Sequence, residues 1–318
     1  MSIESAIQSI ICDKISGSQD LTRKTASLIL QILHQGTRPS RSRLTTELIR
    51  VGGRLIQAQP VMASLVNLFN SVLIAMEKAP GKSTGVMEAQ SVVESYIHGL
   101  TEHNQAISRH LNRHLRAKDV VLTYSGSRTV WEALAGCWNQ GKRFSVICSE
   151  SRPACEGIPL ARRLAAMGIP TSVTTDAMTL SLLCNDRSKS AKVTKVLVGA
   201  DLITPQGFTN KAGTYPLAVI ANHRSLPFYV LAGSEKFFSL KVPLERMIQD
   251  APATELLPRP SRNLKAINRT FEVTPLSRVT GIFTEQGLLA PLEIRKHLKQ
   301  VKIHHGIKAT YGKIMLQR

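Results

Sequence analysis

One aspartate in the second half of the chain stands where a general acid or base is expected. The β-branched run 196–198 predicts a buried strand, and Gly199, Ala200 and Asp201 follow it directly. A carboxylate just past a strand end reaches the crevice in which parallel sheets bind ligands, and the glycine allows close backbone approach. Asp201 is therefore the first candidate for proton transfer, although an aspartate after a strand also commonly caps a turn or a helix.

Two polar residues that could bind a ligand follow Asp201. Asn210 and Lys211 precede Gly213 and Thr214, and threonine is a residue type that caps helices such as the one predicted over 215–221. A phosphate would meet the Lys211 ammonium and the first N–H groups of that helix together. A polar hairpin loop is the alternative interpretation of this stretch.

Hydroxyls and cations also follow other predicted strands. The turn 125–128 (SGSR) begins with Ser125 and could hold an anion through its backbone N–H groups. Arg152 could bind a phosphate bidentately or pair with a carboxylate, and Lys236 is a further cation after a strand. The turn is neither a GxGxxG nor a Walker sequence, so no dinucleotide, nucleoside triphosphate or other cofactor is expected.

A parallel sheet is the element that would bring these residues together. From Lys118 onward, short β-branched runs alternate with helical segments, and strands are predicted over 120–124, 144–148, 171–175, 196–198 and 228–231. Such alternation specifies an α/β domain with a doubly wound parallel sheet covered on both faces. The carboxyl ends of its strands form one rim, at which the loops described above should converge.

The part of the chain before this sheet is predicted to be helical. Up to about Lys118, apolar residues recur at spacings of three and four, as in Ile7, Ile10 and Ile11, without a strand pattern. A chain of 318 residues is also longer than one typical domain. The sequence therefore predicts a helical N-terminal domain over 1–117 and an α/β domain over 118–318.

Composition favours a folded protein of the cytoplasm. The five cysteines are odd in number and show no CxxC or Cys/His ligand spacing, so neither a disulfide framework nor a metal site is indicated. Glu4 and Asp13 interrupt the N-terminal apolar pattern, and no apolar run is long enough to cross a bilayer. We therefore expect a cytoplasmic localisation and no membrane partner.

The chain is strongly basic, with a net charge of +19 that raises the local concentration of anions. Phosphorylated metabolites, nucleic acid and acidic proteins would all be attracted. Within the stretch 109–118, Arg109 and Arg113 would share one helix face. Because no aromatic residues alternate with these cations, a solvated face is the favoured interpretation of the stretch.

Several motifs follow one another in an order and spacing that resembles one protein superfamily. They are 150–153 (ESRP), Gly157, 199–201 (GAD), Gly207, 210–211 (NK), 213–214 (GT) and 227–230 (PFYV). Together they resemble the superfamily that unites the alpha, beta and delta subunits of translation initiation factor 2B with methylthioribose-1-phosphate isomerase and ribose-1,5-bisphosphate isomerase. The resemblance covers about residues 115–290. It implies a helical N-terminal domain, a Rossmann-like C-terminal domain, and homodimers or larger homo-oligomers formed through the C-terminal domain.

The resemblance also implies roles for the candidate site residues. In the isomerases, a cysteine after the first sheet strand and the aspartate of the GAD motif move a proton between C1 and C2 of a 1-phosphorylated sugar. Asp201 matches that aspartate, Asn210 and Lys211 match a substrate-binding pair, and Lys236 falls at a further ligand-binding lysine. Ser125 stands where the cysteine is expected, and a serine hydroxyl is a far weaker acid than a thiol near neutral pH.

A second departure concerns phosphate binding, because the N-terminal Arg-Pro-Thr site of the isomerases corresponds here to Gln59-Pro60-Val61. The leading interpretation is an initiation factor 2B-type protein that binds a phosphorylated sugar or nucleotide, with a regulatory role and a translation-factor partner as further expectations. The alternative is an aldose–ketose isomerase acting on a 1-phosphorylated pentose, so the sequence leaves open whether the protein is an enzyme. A third class, an RNA-associated protein that uses its basic surface, also stays open.

Overall fold

A computed structural model of the chain describes residues 2–13, 16–34, 40–80, 82–184, 192–240, 243–259, 261–298 and 301–316. Five helices form its first part: α1 (Ile3–Cys12), α2 (Ser18–Leu33), α3 (Arg41–Ala58), α4 (Ala63–Lys78) and α5 (Lys82–Asn112). The apolar residues that recur at helical spacing turn inward, as Ile7 and Ile10 do. The described residues before Val120 contain no strand, which confirms the helical prediction.

Helix α4 lies at the centre of this part, between α2, α3 and α5. Its sequence is apolar on almost every side, and residues from Ala63 to Asn70 are buried without a break, as expected of a helix that does not face solvent. Helix α5 has 31 residues, which corresponds to a length of about 46 Å. It contacts both α4 and the α/β part, and therefore joins the two halves of the molecule.

The described residues after α5 contain ten strands. They are β1 (Val120–Tyr124), β2 (Ser145–Ser149), β3 (Thr171–Thr174), β4 (Lys195–Val198), β5 (Leu202–Ile203), β6 (Gly207–Lys211), β7 (Phe228–Leu231), β8 (Phe271–Pro275), β9 (Gly281–Thr284) and β10 (Gly287–Leu289). Seven of them form one sheet in the order β10-β9-β7-β4-β1-β2-β3, in which all pairs except β9–β10 are parallel. The predicted doubly wound α/β class is thereby confirmed.

Helices follow the strands as the alternation predicts. They are α6 (Arg128–Asn139) after β1, α7 (Gly157–Ala166) after β2, α8 (Asp176–Cys184) after β3 and α9 (Thr214–His223) after β6. Two hydrophobic clusters lie on the two faces of the sheet, one containing Val196 and Val198 and the other Val121 and Leu197. Adjacent residues of β4 thus point to opposite faces.

A second, antiparallel sheet in the order β5-β6-β8 was not expected from the sequence. It places Asn210 and Lys211 on strand β6, paired with Glu272 and Phe271 of β8, rather than in a loop. The pairing partner comes from far along the chain, which is why the local sequence does not reveal this strand. Asp201 directly precedes β5, so the small sheet places Asp201, Asn210 and Lys211 beside the end of β4.

The chain ends in the helices α10 (Leu244–Met247), α11 (Pro291–Leu298) and α12 (His305–Leu316). Helix α12 packs against α3, and its buried Tyr311 donates a hydrogen bond to the carbonyl oxygen of Pro60 at 3.0 Å. The last helix therefore belongs to the core of the helical part, while the predicted division at residue 118 stays a prediction. None of the helices described is both long and apolar enough to cross a membrane.

Candidate functional site

A cavity of about 370 Å³ lies between the carboxyl ends of the sheet strands and the helical part. Its volume falls within the range of about 300–1,000 Å³ that is usual for small-molecule sites. Five of the predicted site residues line it: Ser125, Asp201, Asn210, Lys211 and Lys236. On the helical side, the start of α2 and the end of α3 enclose it through Ser18, Gln19 and Gln59. The loops thus converge on one rim, as the parallel sheet requires.

The backbone of Asp201 is fixed between the two halves of the molecule. Its N–H donates to the Thr209 carbonyl oxygen at 2.9 Å, and its own carbonyl oxygen accepts the Ala63 N–H at 3.0 Å, at the start of α4. Within the described residues, no group donates a hydrogen bond to the Asp201 carboxylate. The backbone rather than the side chain therefore caps α4, and the carboxylate is left to the cavity.

The electrostatic surroundings of Asp201 favour its protonated form. Burial raises the pKa of the Asp201 carboxyl to about 6. The Lys236 ammonium lowers this pKa and the Glu156 carboxylate raises it further, but burial has the largest effect. A group that titrates near neutral pH can both accept and release a proton under working conditions. Asp201 thus has the electrostatic properties of a general acid or base.

Lys236 connects the sheet rim to the helical part. It lies in the short 3₁₀ turn after β7, is 3% exposed, and its ammonium donates to the Ser18 hydroxyl in the first turn of α2. Burial lowers the pKa of Lys236, while Asp201 and Glu235 oppose this shift. The N-cap of α2 is Gly17, so no side chain caps this helix end where it borders the cavity. A buried ammonium next to an uncapped helix N-terminus is a suitable place for an anion.

Lys211 also reaches the cavity, but its charge is already paired. Its ammonium lies 2.9 Å from Glu156 Oε1, and only 2% of its side chain is exposed. The second oxygen of Glu156 is buried without a hydrogen-bond partner among the described residues. Asn210 Nδ2 donates to the Thr214 hydroxyl at 3.0 Å. An anion that binds Lys211 must therefore share it with Glu156 or displace that carboxylate.

The N-terminus of α9 differs from the expectation. Its N-cap is Gly213 with φ 107°, and the Glu272 carboxylate accepts the N–H groups of Gly213 at 2.7 Å and Tyr215 at 2.6 Å. The hydroxyl of Thr214 donates to the Lys211 carbonyl oxygen instead of capping the helix. Because a carboxylate already occupies this helix end, a phosphate would have to displace Glu272 to bind there, and the phosphate contact that the sequence suggested stays a prediction.

Ser125 lies on the cavity in a left-handed conformation, with φ 69°. Its N–H donates to the Ser151 hydroxyl at 2.8 Å. Non-glycine residues rarely adopt such a φ, and the strain is typical of functional loops. Among the described residues, no group accepts a hydrogen bond from the Ser125 hydroxyl, so the structure provides no base that would activate it as a nucleophile or acid.

Arg152 is the predicted site residue that does not line the cavity. Its exposed side chain extends to Cys155, with 4.0 Å between Nη1 and Sγ. The Asp176 carboxylate accepts the Arg152 N–H at 2.8 Å, the Ser151 N–H at 2.9 Å and the Ser149 hydroxyl, and so fixes the loop. A phosphate contact of Arg152 stays a prediction that this geometry does not support.

Several residues of the cavity were missed from the sequence. Glu156, which pairs with Lys211, follows the quoted motif 150–153, and Ser18 and Gln19 come from a helix to which no chemistry was assigned. Trp131 also lines the cavity and carries the Arg163 guanidinium 3.6 Å above its ring. The sequence pattern that could have pointed to Ser18 and Gln19 is the Gly-Ser-Gln-Asp run at 17–20, because it is typical of a helix start.

Potential metal ligands meet outside the cavity, where ligand atoms of Glu77, His304 and His305 lie within 4.8 Å of one another. His304 Nδ1 accepts the Gly306 N–H at 3.0 Å, so in the neutral ring the proton is on Nε2, which faces Glu77 at 3.6 Å. A ring in this tautomer offers no lone pair at Nε2. The arrangement therefore suits a helix cap better than a metal site.

The helical part, the doubly wound sheet and the cavity between them define the class as an α/β protein with a helical N-terminal part and a cavity at the rim of its parallel sheet. Sequence comparison names the family within that class. The profile of the Initiation factor 2 subunit family matches residues 14–291, and the chain belongs to this family.

Individual relatives show both branches of the resemblance. A putative translation initiation factor eIF-2B subunit 2-like protein of Pyrococcus horikoshii is 30% identical over 280 residues, which are 88% of this chain and 93% of that protein. The ribose 1,5-bisphosphate isomerase of Methanocaldococcus jannaschii is 25% identical over 282 residues, covering 87% and 88% of the two chains. The crystal structure of the P. horikoshii OT3 translation initiation factor eIF-2B superposes with a TM-score of 0.77 at 29% identity, covering 92% of this chain and 98% of that one.

Proposed function

We propose that this protein binds a phosphorylated sugar or a nucleotide in the cavity and acts through binding. The observation that carries the proposal is the placement of Lys236, a buried ammonium held at the uncapped N-terminus of α2 and facing the Asp201 side of the same cavity. A phosphate there would compensate the buried charge of Lys236 and accept hydrogen bonds from helix N–H groups. Asp201 and Asn210 would then contact the hydroxyl groups of the sugar.

Binding at this place would connect the two halves of the protein. The start of α2 and the rim of the sheet already meet through Lys236 and Ser18, and through Arg128 and Asp20, whose side-chain atoms lie 2.6 Å apart. A ligand that contacts both sides would stabilise their relative arrangement. We propose that a translation factor recognises this stabilised arrangement, which would give the ligand a regulatory role in the cytoplasm.

An aldose–ketose isomerase is the second candidate, and the pKa of Asp201 near 6 favours it. A carboxylate of this kind could move a proton between C1 and C2 of a bound 1-phosphorylated pentose. The isomerases use a cysteine as the second group, and Ser125 has no activating base within the described residues. Binding without turnover is therefore the preferred function.

Thermal unfolding with added ribose 1,5-bisphosphate, methylthioribose 1-phosphate and adenosine monophosphate tests the binding proposal. We expect at least one of them to raise the unfolding temperature, and we expect Lys236→Met to abolish the rise. Lys308→Met, which removes an exposed ammonium of α12, is the matched control and should keep it. A protein that none of these ligands stabilises would contradict the proposal. If NMR spectra show that the protein converts either sugar phosphate to the corresponding ketose, the protein is an isomerase.

A further inference from the structure

A basic patch lies at the amino ends of the sheet strands, on the side opposite the cavity. We define the basic patch as Arg109, Arg113, Arg116, Lys118, Lys142 and Arg143. Lys118 comes just before β1 and Arg143 just before β2, so the patch lies at the amino ends of these parallel strands. The cavity lies at their carboxyl ends. The basic patch is therefore separate from the proposed ligand site and needs an explanation of its own.

Direct contacts join the two segments that carry the basic patch. The Lys118 N–H donates to the Arg143 carbonyl oxygen at 2.8 Å. Asn112 Nδ2, at the end of α5, donates to Gln140 Oε1 at 3.0 Å. The end of α5 and the turn after α6 therefore form one continuous surface. All six cations are at the surface, with Lys142 partly covered and the other five exposed.

No acidic group compensates this charge within the described residues. The stretches 103–118 and 133–149 contain no aspartate or glutamate. None of the six cations takes part in the ion pairs of the described residues. The nearest carboxylate in the sequence, Asp119, is buried, and it binds the Lys195 ammonium and accepts the Arg116 N–H at 2.6 Å. Six positive charges consequently face solvent together.

The fold also brings an aromatic ring to the basic patch. The Arg143 guanidinium lies 4.5 Å from the ring centroid of Trp138, and the ring is anchored edge-on against Phe144 with 5.7 Å between centroids. This contact could not be predicted from the sequence, because Trp138 does not alternate with the cations along the chain. A guanidinium stacked on an indole presents a flat face on which an unpaired base can stack.

We propose that the basic patch binds a single-stranded polynucleotide. Arg109, Arg113 and Arg116 would contact successive backbone phosphates, and the Arg143–Trp138 pair would stack one base. An acidic protein would use the charges but not the stacked pair. A membrane surface would also require exposed apolar side chains, and none of the large exposed apolar residues of the described chain lies between 88 and 172. The polynucleotide is the partner that uses both features.

Fluorescence anisotropy with a labelled single-stranded RNA 12-mer tests this proposal on the full chain. Arg113→Ala/Arg116→Ala/Arg143→Ala should weaken binding at least about tenfold. It should also reduce the slope of log affinity against log salt by about 1.4, since it removes two phosphate contacts and each contributes about 0.7 on a single strand. Lys296→Ala/Lys308→Ala/Lys313→Ala removes the same charge from exposed positions of α11 and α12 and should change affinity by less than about threefold. Equal unfolding temperatures would show that both variants are folded.

Further measurements identify the ligand and test the stacked base. A single-stranded DNA of the same sequence shows whether the sugar matters, and tight binding of either polymer supports the proposal. RNA should quench tryptophan fluorescence in the wild type, and Trp138→Phe should remove most of the quenching, since Trp131 lies at the cavity. The proposal is overturned if neither the RNA nor the DNA binds, if the lysine control loses as much affinity, or if polyglutamate of equal length binds as tightly. Lys236→Met should leave RNA binding unchanged, so the basic patch is tested independently of the cavity.

Discussion

At the scale of residues, the raised pKa of Asp201 has a consequence for stability. Its carboxyl has a folded-state pKa of about 6, above the ordinary value of 3.8. At low pH the carboxyl is protonated in both the folded and the unfolded state. Because its pKa is higher in the folded state, stability is lost as the pH rises from about 4 through 6. Above that range the buried charge is a constant penalty, which the protein retains although an uncharged residue would avoid it. Such a penalty is typical of functional sites.

We therefore expect Asp201→Asn to stabilise the protein above pH 7, by on the order of 1–3 kcal/mol, and to change stability little at pH 4. Urea unfolding of both proteins at pH 4, 6 and 8 measures the difference. Asp20→Asn is the control, because Asp20 pairs with Arg128 at the surface, and its removal should not stabilise at any pH. Equal unfolding free energies of the Asp201→Asn variant and the wild type at pH 8 would show that the Asp201 charge is not buried as described.

Ser125 is the residue that decides between binding and catalysis. Cysteine can replace it without a new strain, since both residues must adopt φ 69° there and their side chains have the same shape. If the chemistry lacks only a thiol, Ser125→Cys should raise turnover of ribose 1,5-bisphosphate or methylthioribose 1-phosphate at least about tenfold above the wild type, followed by NMR. Asp201→Asn in the Ser125→Cys background should abolish the gain. A wild type that is as active as the Ser125→Cys variant would instead mean that the serine protein is already an enzyme.

At the scale of elements, local patterns predicted the parts that local sequence determines. The five predicted strands correspond to β1, β2, β3, β4 and β7. All of them except the edge strand β3 are largely buried. The strands β5, β6, β8, β9 and β10 were missed. Strand β6, for example, pairs with a segment about 60 residues away and is too short and polar to be recognised alone. The candidate residues Asn210 and Lys211 were found nevertheless, from the motif rather than from the strand that positions them. The contribution of α2 to the cavity could not be found, because it depends on how the two halves pack.

The capping of α9 is a case in which an element's end was assigned to the wrong partner. Glu272→Ala should remove the acceptor of two helix N–H groups and lower the free energy of unfolding by about 1–2 kcal/mol. Glu272→Gln keeps an acceptor oxygen and should lose less. Urea unfolding measures both variants, and affinity for the stabilising sugar phosphate should stay within about threefold of the wild type. A gain in affinity well beyond threefold would instead point to the N-terminus of α9 as the phosphate site, because the phosphate would no longer have to displace the Glu272 carboxylate.

At the scale of the whole molecule, the two proposed binding sites lie on separate surfaces of one framework. The cavity is closed by contacts between the helical part and the α/β part, and the buried hydrogen bond from Gln19 Nε2 to the Thr129 hydroxyl at 3.2 Å is one example. The basic patch lies at the amino ends of the strands, on the opposite side of the sheet from the cavity. Helix α12 returns from the end of the chain to the helical core. A ligand in the cavity and a polyanion at the basic patch could therefore be bound at the same time.

The edge strand β3 suggests how copies of the molecule associate. Strand β3 pairs only with β2 within the described sheet, and its adjacent residues Ser172 and Val173 are both exposed, although they point to opposite faces. Val173 is 51% exposed and Met178, in the following helix α8, is 46% exposed. An unprotected edge with exposed apolar side chains is an unfavourable surface for a monomer. A second copy would cover it, in agreement with the homodimer expected from the family resemblance.

We therefore expect a homodimer in solution, with about twice the chain mass of 34.9 kDa, when light scattering is measured behind gel filtration. Val173→Lys/Met178→Lys should shift the mass to that of the monomer, because it places four like charges in a symmetric interface. Leu292→Lys, at an apolar residue that is 77% exposed on α11, is the control and should leave the dimer intact. A wild-type mass of one chain would contradict the dimer, while a dimer that survives the double substitution would place the interface on another surface of the α/β part. Since the cavity is enclosed within a single chain, the monomeric variant should still be stabilised by the sugar phosphate that stabilises the wild type. Thermal unfolding with the added sugar phosphate checks this.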